Sequence, residues 1–405
     1  MTFISIAPDP ALAEDARHVE AVERKGAGHP DTLCDRISEL TSALYAEHCR
    51  KAFGRVAHHW FDKVMLIGGE AEIRFGAGRL TAPYEIILAG KAVTSIGDIE
   101  IPITDIFRKA ATTILTNTLK NFDPARDLIV TNKVRSGAGP GQPKSRYRPA
   151  SAAELDLPED PTLVSNDCNL CTGYFPMSIL EQIVLAVDEH LLSDQVQVQL
   201  PYIGSDIKTV GWRRDGAYAL VVNVPFIAND VSSQEDYLQK CLDVETYINK
   251  WIKDTWRLHA DVKLNPERLW KRAYLTVTGT VADTGDVGVT GRGNRMNGLI
   301  TPGREMSIEA SAGKNPLDHT GKLYNVLAAE IAKDISQEFG LPCKVGITTI
   351  KGALLSRPTS VTIALAPHNW SVKEIEPLIT SLIECKLETI AAVSRRFIEG
   401  SIRVF

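Results

Sequence analysis

Six stretches of helical periodicity are spaced along the 405-residue chain, about two in each third, with short extended segments between them. In the first stretch, Leu33, Ile37, Leu40 and Leu44 recur every three or four residues and so share one helix face. A sheet with two helices on one face buries its apolar surface, and the spacing indicates three such layers. We therefore predict an α+β fold of three similar units, each a sheet with two helices. The predicted helices cover residues 32–52, 104–121, 177–193, 233–257, 321–338 and 372–398.

The extended segments between the helices are predicted strands. They are bounded by turn residues, as at the hairpin turn Arg214-Asp215-Gly216. We expect the three units at residues 1–135, 136–270 and 271–405, with approximate boundaries and with room for the units to interleave. The predicted strands cover residues 63–67, 84–92, 128–133, 195–200, 207–212, 218–224, 274–281, 344–350 and 359–366.

The composition excludes several classes of protein. Hydrophobic residues make up 44% of the chain, which argues against disorder, and a net charge of -5 disfavours a nucleic-acid partner. No apolar run approaches the ~20 residues that span a bilayer, and Glu14 and Glu20 stand where a secretory signal would be apolar. Seven scattered cysteines are typical of reduced thiols. We expect a cytoplasmic protein without a membrane or nucleic-acid partner.

Three glycine-rich, charged segments lack hydrophobic periodicity: residues 23–36, 136–144 and 283–322. In the first, Gly28 lets a ligand approach the backbone, and Pro30 marks a helix start, where an anion is favoured. His29 would then hydrogen-bond a leaving oxygen, and Asp31 would offer Mg²⁺ a carboxylate. The same residues also fit a simple capped helix start with an exposed histidine.

Two further carboxylates and one basic loop are candidates for binding. Glu70 follows a strand-ending Gly-Gly pair and would receive a substrate ammonium, or else is a solvated hairpin residue. Asp167 would orient a ribose or an amino-acid group, or else caps a turn. The loop at the start of the central unit continues into Lys144, Arg146 and Arg148, and it fits a cover over a polyanion or a surface linker.

The third segment is the most specific of the three. Glycines separate five cations within about thirty residues, namely Arg292, Arg295, Arg304, Lys314 and Lys322. Fixed cations and accessible backbone N–H groups are the components of a triphosphate cradle. The segment is not a P-loop, because Asn315 follows Lys314 where that motif requires Ser or Thr.

These motifs together resemble the S-adenosylmethionine synthetases (methionine adenosyltransferases) of the archaeal type. The resemblance covers residues from about 20 to 340 and rests on several long motifs in the family's order. The motifs are Gly28-His29-Pro30-Asp31, Gly68-Gly69-Glu70, the Gly-Asp to Asn-Arg run at 285–295, Asn297-Gly298-Leu299-Ile300-Thr301-Pro302 and Gly313-Lys314-Asn315-Pro316.

The resemblance implies a fold of three similar units about a pseudo-threefold axis. It implies that methionine sulfur attacks the ribose C5′ of ATP and displaces the whole triphosphate, which is cleaved to diphosphate and phosphate. It further implies Mg²⁺, expected as two ions, K⁺ in many members, and a homodimer, or a dimer of such dimers, with the site between subunits. A sulfur nucleophile needs no general base, so positioned cations should supply most of the catalysis.

The resemblance also assigns roles to individual residues. His29, Arg292 and Lys314 would act on the leaving triphosphate, while Asp31 and Asp318 would bind metal. The implied substrate-binding residues are Glu70, Asp167, Asp286, Asn294, Arg295 and Lys322, of which Glu70 and Asp286 would hold the methionine ammonium.

The chain departs from the family pattern in several places. Residues 168–172 read Cys-Asn-Leu-Cys-Thr where the family has Thr-Ser-Phe-Gly-Val, and Glu305 replaces a proline. Asp318 replaces an asparagine, and Trp60 replaces a small polar residue. Two alternatives therefore stay open: the same chemistry on a methionine analogue, and a non-catalytic protein that binds ATP or triphosphate.

Overall fold

Nine α-helices lie in the part of the chain that the computed structural model describes, which is residues 2–12, 18–137, 145–367 and 372–405. Most of the predicted basic loop at 136–144 lies outside the described residues. The helices are α1 (Pro30–Phe53), α2 (Ile103–Thr118), α3 (Pro124–Asp127), α4 (Ile179–Leu191), α5 (Asp194–Gln199), α6 (Gln234–Trp256), α7 (Thr320–Phe339), α8 (Val372–Glu388) and α9 (Ile390–Ile398).

Five of the six predicted helices are confirmed within three residues at each end. The sixth prediction, 372–398, is wrong in one respect, because the segment forms two helices, α8 and α9. The hydroxyl of Thr389 donates hydrogen bonds to the carbonyl oxygens of Cys385 (2.9 Å) and Lys386 (3.3 Å) at the break. Such side-chain bonds compete with the helical ladder, which accounts for the interruption.

Eighteen strands lie in the described residues. They include the predicted strands with two exceptions, and ten of them were not predicted. The eighteen strands are β1 (Phe3–Pro8), β2 (Val19–Lys25), β3 (His59–Ile67), β4 (Glu70–Arg74), β5 (Ala77–Ala82), β6 (Tyr84–Ala92), β7 (Ser95–Ile96), β8 (Ile99–Glu100), β9 (Leu128–Arg135), β10 (Asn169–Phe175), β11 (Lys208–Arg214), β12 (Ala217–Asn223), β13 (Phe226–Ile227), β14 (Ala260–Leu264), β15 (Leu275–Thr276), β16 (Val287–Val289), β17 (Cys343–Thr349) and β18 (Ser360–Leu365).

Both exceptions have a local cause. The predicted strand at 195–200 is wrong, because its alternating Val-Gln pattern forms the short helix α5, in which Val196 is buried and Val198 is exposed. The predicted strand at 274–281 shrinks to β15, because the backbone N–H groups of Val277 and Thr278 donate to the Asp283 carboxylate rather than to a neighbouring strand.

Three four-stranded sheets are present among the described residues, and each shares a hydrophobic core with at least two helices. Their strand orders are β16-β3-β6-β9, β14-β12-β11-β2 and β1-β18-β17-β10. The first sheet packs on α1 and α2, the second on α4 and α6, and the third on α7 and α8. The pseudo-threefold relation between the units, and their boundaries, stay predictions.

Strands exchanged between distant parts of the chain bring the glycine-rich segments together. β2 joins the central sheet beside β11, and β16 joins the first sheet beside β3. As a result, the turn between β2 and α1 lies next to the loop around β16. No helix in the described ranges is long and apolar enough to cross a membrane.

Candidate active site

The position of His29 in the turn from β2 into α1 determines the protonation state and the tautomer of its ring. This residue caps α1, and its Nδ1 atom accepts a hydrogen bond from the Asp31 backbone N–H at 3.1 Å. Burial lowers the pKa of His29 to about 4, although Asp31 opposes the change. The ring is therefore neutral at pH 7 with its proton on Nε2, and it can donate one hydrogen bond to an anion.

His29 opens into a cavity of about 330 Å³ whose other walls the sequence motifs did not indicate. Lys208 and Asp206 line it together with Tyr274. Lys208 lies on β11 directly opposite Lys25 of β2, so two cations stand side by side. Asp206 is buried, which raises its pKa to about 7, and it accepts a hydrogen bond from Val281 N at 3.0 Å. The sequence did not predict these wall residues, because strand pairing helps to place them and strand pairing is not visible in the sequence.

Asp31 ties the β2–α1 turn to the segment around β16. Its Oδ2 atom lies 2.8 Å from Lys25 Nζ, and its Oδ1 atom accepts from Val289 N at 2.9 Å. Lys25 also donates to the carbonyl oxygen of Arg292 at 2.8 Å. A side chain at Gly288 would meet the Pro30 carbonyl, because a Cβ there would be 2.1 Å from that oxygen. The two segments thus form one closely packed body.

Residues 285–295, hereafter the 285–295 loop, divide into exposed and structural side chains. The side chain of Arg292 is exposed and has no hydrogen-bond or ion-pair partner among the described residues, and Asp286 is also exposed. Asn294 instead bonds the backbone of Lys25 through both amide atoms, at 3.0 and 2.8 Å. Arg295 donates to the carbonyl oxygens of Gly291 (2.6 Å) and Gly293 (2.8 Å).

Glu70 lies beside Asp286 through backbone contacts. The turn after β3 places Gly68 N 3.0 Å from the Asp286 carbonyl and Gly69 N 2.9 Å from the Ala282 carbonyl. Glu70 begins β4 immediately afterwards and is exposed. Two exposed carboxylates, Glu70 of β4 and Asp286 of the 285–295 loop, therefore lie near the turn after β3, and the charge of Asp286 acts on the pKa of His29.

A second cluster holds the buried lysines at the start of α7. Lys314 Nζ lies 2.9 Å from Asp62 and 2.8 Å from Glu309, and these carboxylates raise its pKa although burial opposes them. Lys322 Nζ lies 2.7 Å from Glu39 and 3.0 Å from the Lys314 carbonyl oxygen. Burial lowers the pKa of Lys322, and Glu39 opposes that change. Both lysines are thus cations held by carboxylates.

Asp318 belongs to this second cluster. Its Oδ2 atom lies 2.7 Å from Arg146, while its Oδ1 atom is buried without a hydrogen-bond partner and lies 3.8 Å from His58 Nδ1. Burial raises the pKa of Asp318 to about 6, against the charge of Arg146. The backbone N–H of Asn166 donates to the Asp318 carbonyl at 3.3 Å, so Asp167, which is exposed, follows at the edge of this cluster.

The candidate residues therefore form two groups within one chain. The first contains His29, Asp31, Lys208, Glu70 and the 285–295 loop, and the second contains Lys314, Lys322, Asp318 and Asp167. No hydrogen bond or ion pair within the described ranges joins the side chains of the two groups. Among the described residues, no three His, Cys, Asp or Glu side chains are placed to hold a metal ion together.

Comparisons with known proteins agree on one family. A family model described as S-adenosylmethionine synthetase (AdoMet synthetase) matches residues 3–401. The S-adenosylmethionine synthase of Pyrococcus furiosus is 36% identical, with 96% of each chain aligned, and that of Methanocaldococcus jannaschii is 34% identical over 96% of this chain and 97% of the relative. An unusual S-adenosylmethionine synthetase from Campylobacter jejuni has a similar fold, with a TM-score of 0.59, 14% identity and 94% of each chain covered.

Proposed function

Because this chain belongs to the S-adenosylmethionine synthetase family, it is a methionine adenosyltransferase, and we propose the residues that carry out its reaction. The enzyme converts ATP, L-methionine and water into S-adenosylmethionine, diphosphate and phosphate. The observation that carries the proposal is the cavity in which neutral His29 and cationic Lys208 face the same space beside the 285–295 loop.

Lys208 of this cavity and Arg292 of the 285–295 loop bind the triphosphate as it leaves. Negative charge moves onto the triphosphate as sulfur attacks C5′, so cations that are already in position lower the barrier. His29 donates a hydrogen bond from Nε2 as a neutral ring, and Lys208 and Arg292 supply positive charge. Asn294 and Arg295 serve substrate binding by holding the loop that carries Arg292, since their polar atoms bond its backbone and that of Lys25.

Carboxylates hold the positively charged parts of the substrates. Glu70 and Asp286 are neighbouring, exposed carboxylates and bind the methionine ammonium. Asp167 lies by the adenosine or the developing sulfonium, where a carboxylate stabilises positive charge. Lys314 and Lys322, which are held by carboxylates, supply further positive charge that binds the polyphosphate.

Asp31 would serve as a protein ligand for one Mg²⁺ ion, and Asp318 would serve as a ligand for a second. Mg²⁺ usually takes one or two carboxylates and completes its shell with substrate phosphates and water, which fits the lack of a three-residue protein cluster among the described residues. The unpartnered Oδ1 atom of Asp318 fits a cation. When bound, the metal would neutralise phosphate charge. K⁺ is included in the proposal on the family resemblance alone.

The site is completed by a second copy of the chain in a homodimer. The two groups of candidate residues are separate within one chain, and the helix-free faces of two sheets are exposed. Met65 and Val287 lie on the uncovered face of the first sheet and are 39% and 42% exposed, and Trp212, on that of the central sheet, is 41% exposed. We propose that the first group of one subunit faces the second group of its partner. A cytoplasmic location is also proposed.

Subunit mixing tests the shared site. Asp31→Asn removes the first group's carboxylate, and Lys314→Met removes a cation of the second group. Each variant alone should be inactive, but co-refolded mixtures should regain up to about a quarter of wild-type activity, because half of the dimers are mixed and each mixed dimer has one intact site. A mixture as inactive as its components would show that both groups of a site come from the same subunit.

Mass spectrometry of the products tests the reaction. The protein is incubated with ATP, L-methionine, Mg²⁺ and K⁺, and equal amounts of S-adenosylmethionine, diphosphate and phosphate are expected. Lys208→Met should lower turnover by roughly 100-fold, the loss typical of one electrostatic donor, whereas the exposed Lys51→Met should not. Cleaved ATP without S-adenosylmethionine would instead indicate a methionine analogue as acceptor, and ATP binding without turnover would indicate a binding protein.

A further inference from the structure

A second cavity lies between elements of different units, away from the His29 cavity. Its volume is about 100 Å³, and its walls come from α1, β10, α7 and residues 294–312. Neither His29, Lys208 nor Lys314 lines it. We call it the Asn325 cavity.

Asn325 has an unsatisfied carbonyl group at this cavity. The residue is 2% exposed, and its amide nitrogen donates to the carbonyl oxygens of Gly321 (2.7 Å) and Glu309 (3.2 Å). These two bonds fix the orientation of the amide. Its Oδ1 atom is then left buried without a hydrogen-bond partner. A buried carbonyl without a partner is unfavourable, so the geometry calls for a hydrogen-bond donor in the cavity.

Asp35 of α1 supplies a second acceptor in the lining of this cavity. Its side chain is buried, and one oxygen accepts from Gly291 N at 2.8 Å. Its other oxygen accepts no hydrogen bond from the described residues. Burial raises the pKa of Asp35 to about 7, so a cationic partner would favour its ionised form.

Several donors on the cavity wall are already engaged. Arg295 donates to carbonyl oxygens of the 285–295 loop and to Ile308, and Ser311 donates to the Gly321 carbonyl at 3.1 Å. Tyr174 donates to Glu181 at 2.7 Å. The buried Thr301 hydroxyl has no hydrogen-bond partner among the described residues, and a hydroxyl can accept as well as donate. The free oxygen atoms of Asn325, Asp35 and Thr301 can therefore all accept a hydrogen bond. The apolar part of the wall includes Met296, Met306, Ala310 and Val404.

We propose that the Asn325 cavity binds a small primary alkylammonium ion. Its ammonium group donates to Asp35 and Asn325, and a chain of about four carbons packs against Met296 and Met306. A free amino acid fits less well, because its carboxylate would lie near Asp35 and Glu309 while Arg295 is engaged.

An occupant of this cavity is coupled to the active site. Asp35 holds Gly291, and Arg295 holds Gly291 and Gly293, so both fix the loop that carries Arg292. Glu309 lines the cavity and pairs with Lys314 at 2.8 Å. A ligand that contacts these side chains changes the free energy of substrate binding through them.

Calorimetric titration with n-butylammonium chloride, without ATP or methionine and at constant ionic strength, tests the site. Saturable binding is expected with a dissociation constant on the order of 1 mM, and n-butanol and norleucine should bind at least about 10-fold more weakly. Asp35→Asn keeps the acceptor for Gly291 but removes the charge, so it should weaken binding about 10-fold. Ala310→Leu fills the cavity and should abolish binding, whereas Glu47→Gln on the surface should not.

A titration of wild-type protein without saturable binding would overturn the proposal, as would equal binding of n-butanol or undiminished binding to Ala310→Leu. A second measurement compares the dissociation constant for ATP with and without saturating n-butylammonium. We expect a change of at least about 3-fold in the wild type and none in Ala310→Leu. An unchanged wild-type value would overturn the coupling.

Discussion

The ammonium group of Lys322 lies 2.7 Å from the carboxylate of Glu39, and this ion pair joins α7 to α1 in the protein interior. Glu39 also accepts from Gly313 N at 2.9 Å, and Lys322 also donates to the Lys314 carbonyl oxygen. The pair therefore fixes the backbone on both sides of Lys314. The ion pair of Lys322 and Glu39 thus holds the backbone of Lys314, a cation that we propose acts on the triphosphate.

Breaking this pair should destabilise the protein strongly. Lys322→Met leaves the Glu39 carboxylate buried without its counter-ion, and we expect a loss of about 3–5 kcal/mol in the free energy of unfolding. Replacing both residues, as Lys322→Met with Glu39→Gln, should cost less, because no unpaired charge remains. Urea unfolding measures both changes. The exposed pair of Lys51 and Glu47 is the control, and Lys51→Met should change stability little.

His29 should stay neutral through the physiological pH range. Its folded pKa of about 4 lies below the ordinary 6.5, so the unfolded chain binds more protons between these values. The contribution of His29 to stability is therefore complete above pH 6.5 and is lost as the pH falls towards 4. ¹⁵N NMR of the histidine rings should show an Nε2–H tautomer down to about pH 5.

The pH dependence of kcat distinguishes a neutral hydrogen-bond donor from a general acid. His29→Gln should lower kcat by roughly 100-fold, and by the same factor at pH 6 and pH 8. A pH–rate profile in which wild-type activity rises below pH 7, with a limb that His29→Gln removes, would contradict the neutral assignment and favour an imidazolium.

The helices were predictable because each needs only local information. The apolar stripe of α1 and the Pro30 start signal lie within the helix itself. Strand pairing was not predictable in the same way: β1 runs parallel to β18, pairing Phe3 with Ser360 across almost the whole chain. No local pattern indicates such a partner.

The same distinction explains which site residues the sequence revealed. His29, Asp31 and Lys314 lie in motifs with unusual glycine and charge content. Lys208 lies in an ordinary alternating strand, and only its pairing with Lys25 brings it to the His29 cavity. Asn294 and Arg295 also lie in a motif, yet their side chains hydrogen-bond to backbone atoms. The motif therefore predicted where the loop lies. It did not distinguish the residues that face a ligand from the residues that hold the loop in place.

Tyr84 should stabilise the start of the 285–295 loop through Asp283. The Tyr84 hydroxyl donates to the buried Asp283 carboxylate, which also accepts from Val277 N (2.6 Å) and Thr278 N (2.9 Å). Tyr84→Phe removes a hydrogen bond to a charged group, so a loss of about 1.5–3 kcal/mol in unfolding free energy is expected. Tyr218→Phe is the matched control, because the Tyr218 hydroxyl makes no hydrogen bond within the described residues. Equal stability of the two variants would show that the Asp283 carboxylate does not need this donor.

Gly288 should be required for the contact between β16 and the start of α1. A Cβ atom there would lie 2.1 Å from the Pro30 carbonyl oxygen and 2.8 Å from Asp31 N, and both are backbone atoms of a helix start that cannot rotate away. Gly288→Ala must therefore separate Val289 N from the Asp31 carboxylate that it now contacts at 2.9 Å. We expect a loss of at least about 3 kcal/mol in unfolding free energy, at the upper end of overpacking effects, with a large fall in kcat/KM for ATP. Gly303→Ala is the control in the same glycine-rich segment, since a Cβ at Gly303 meets no atom within 4 Å. If the two variants behave alike in denaturation and in kinetics, then the β16–α1 contact does not position Asp31, and the carboxylate must be held by Lys25 alone.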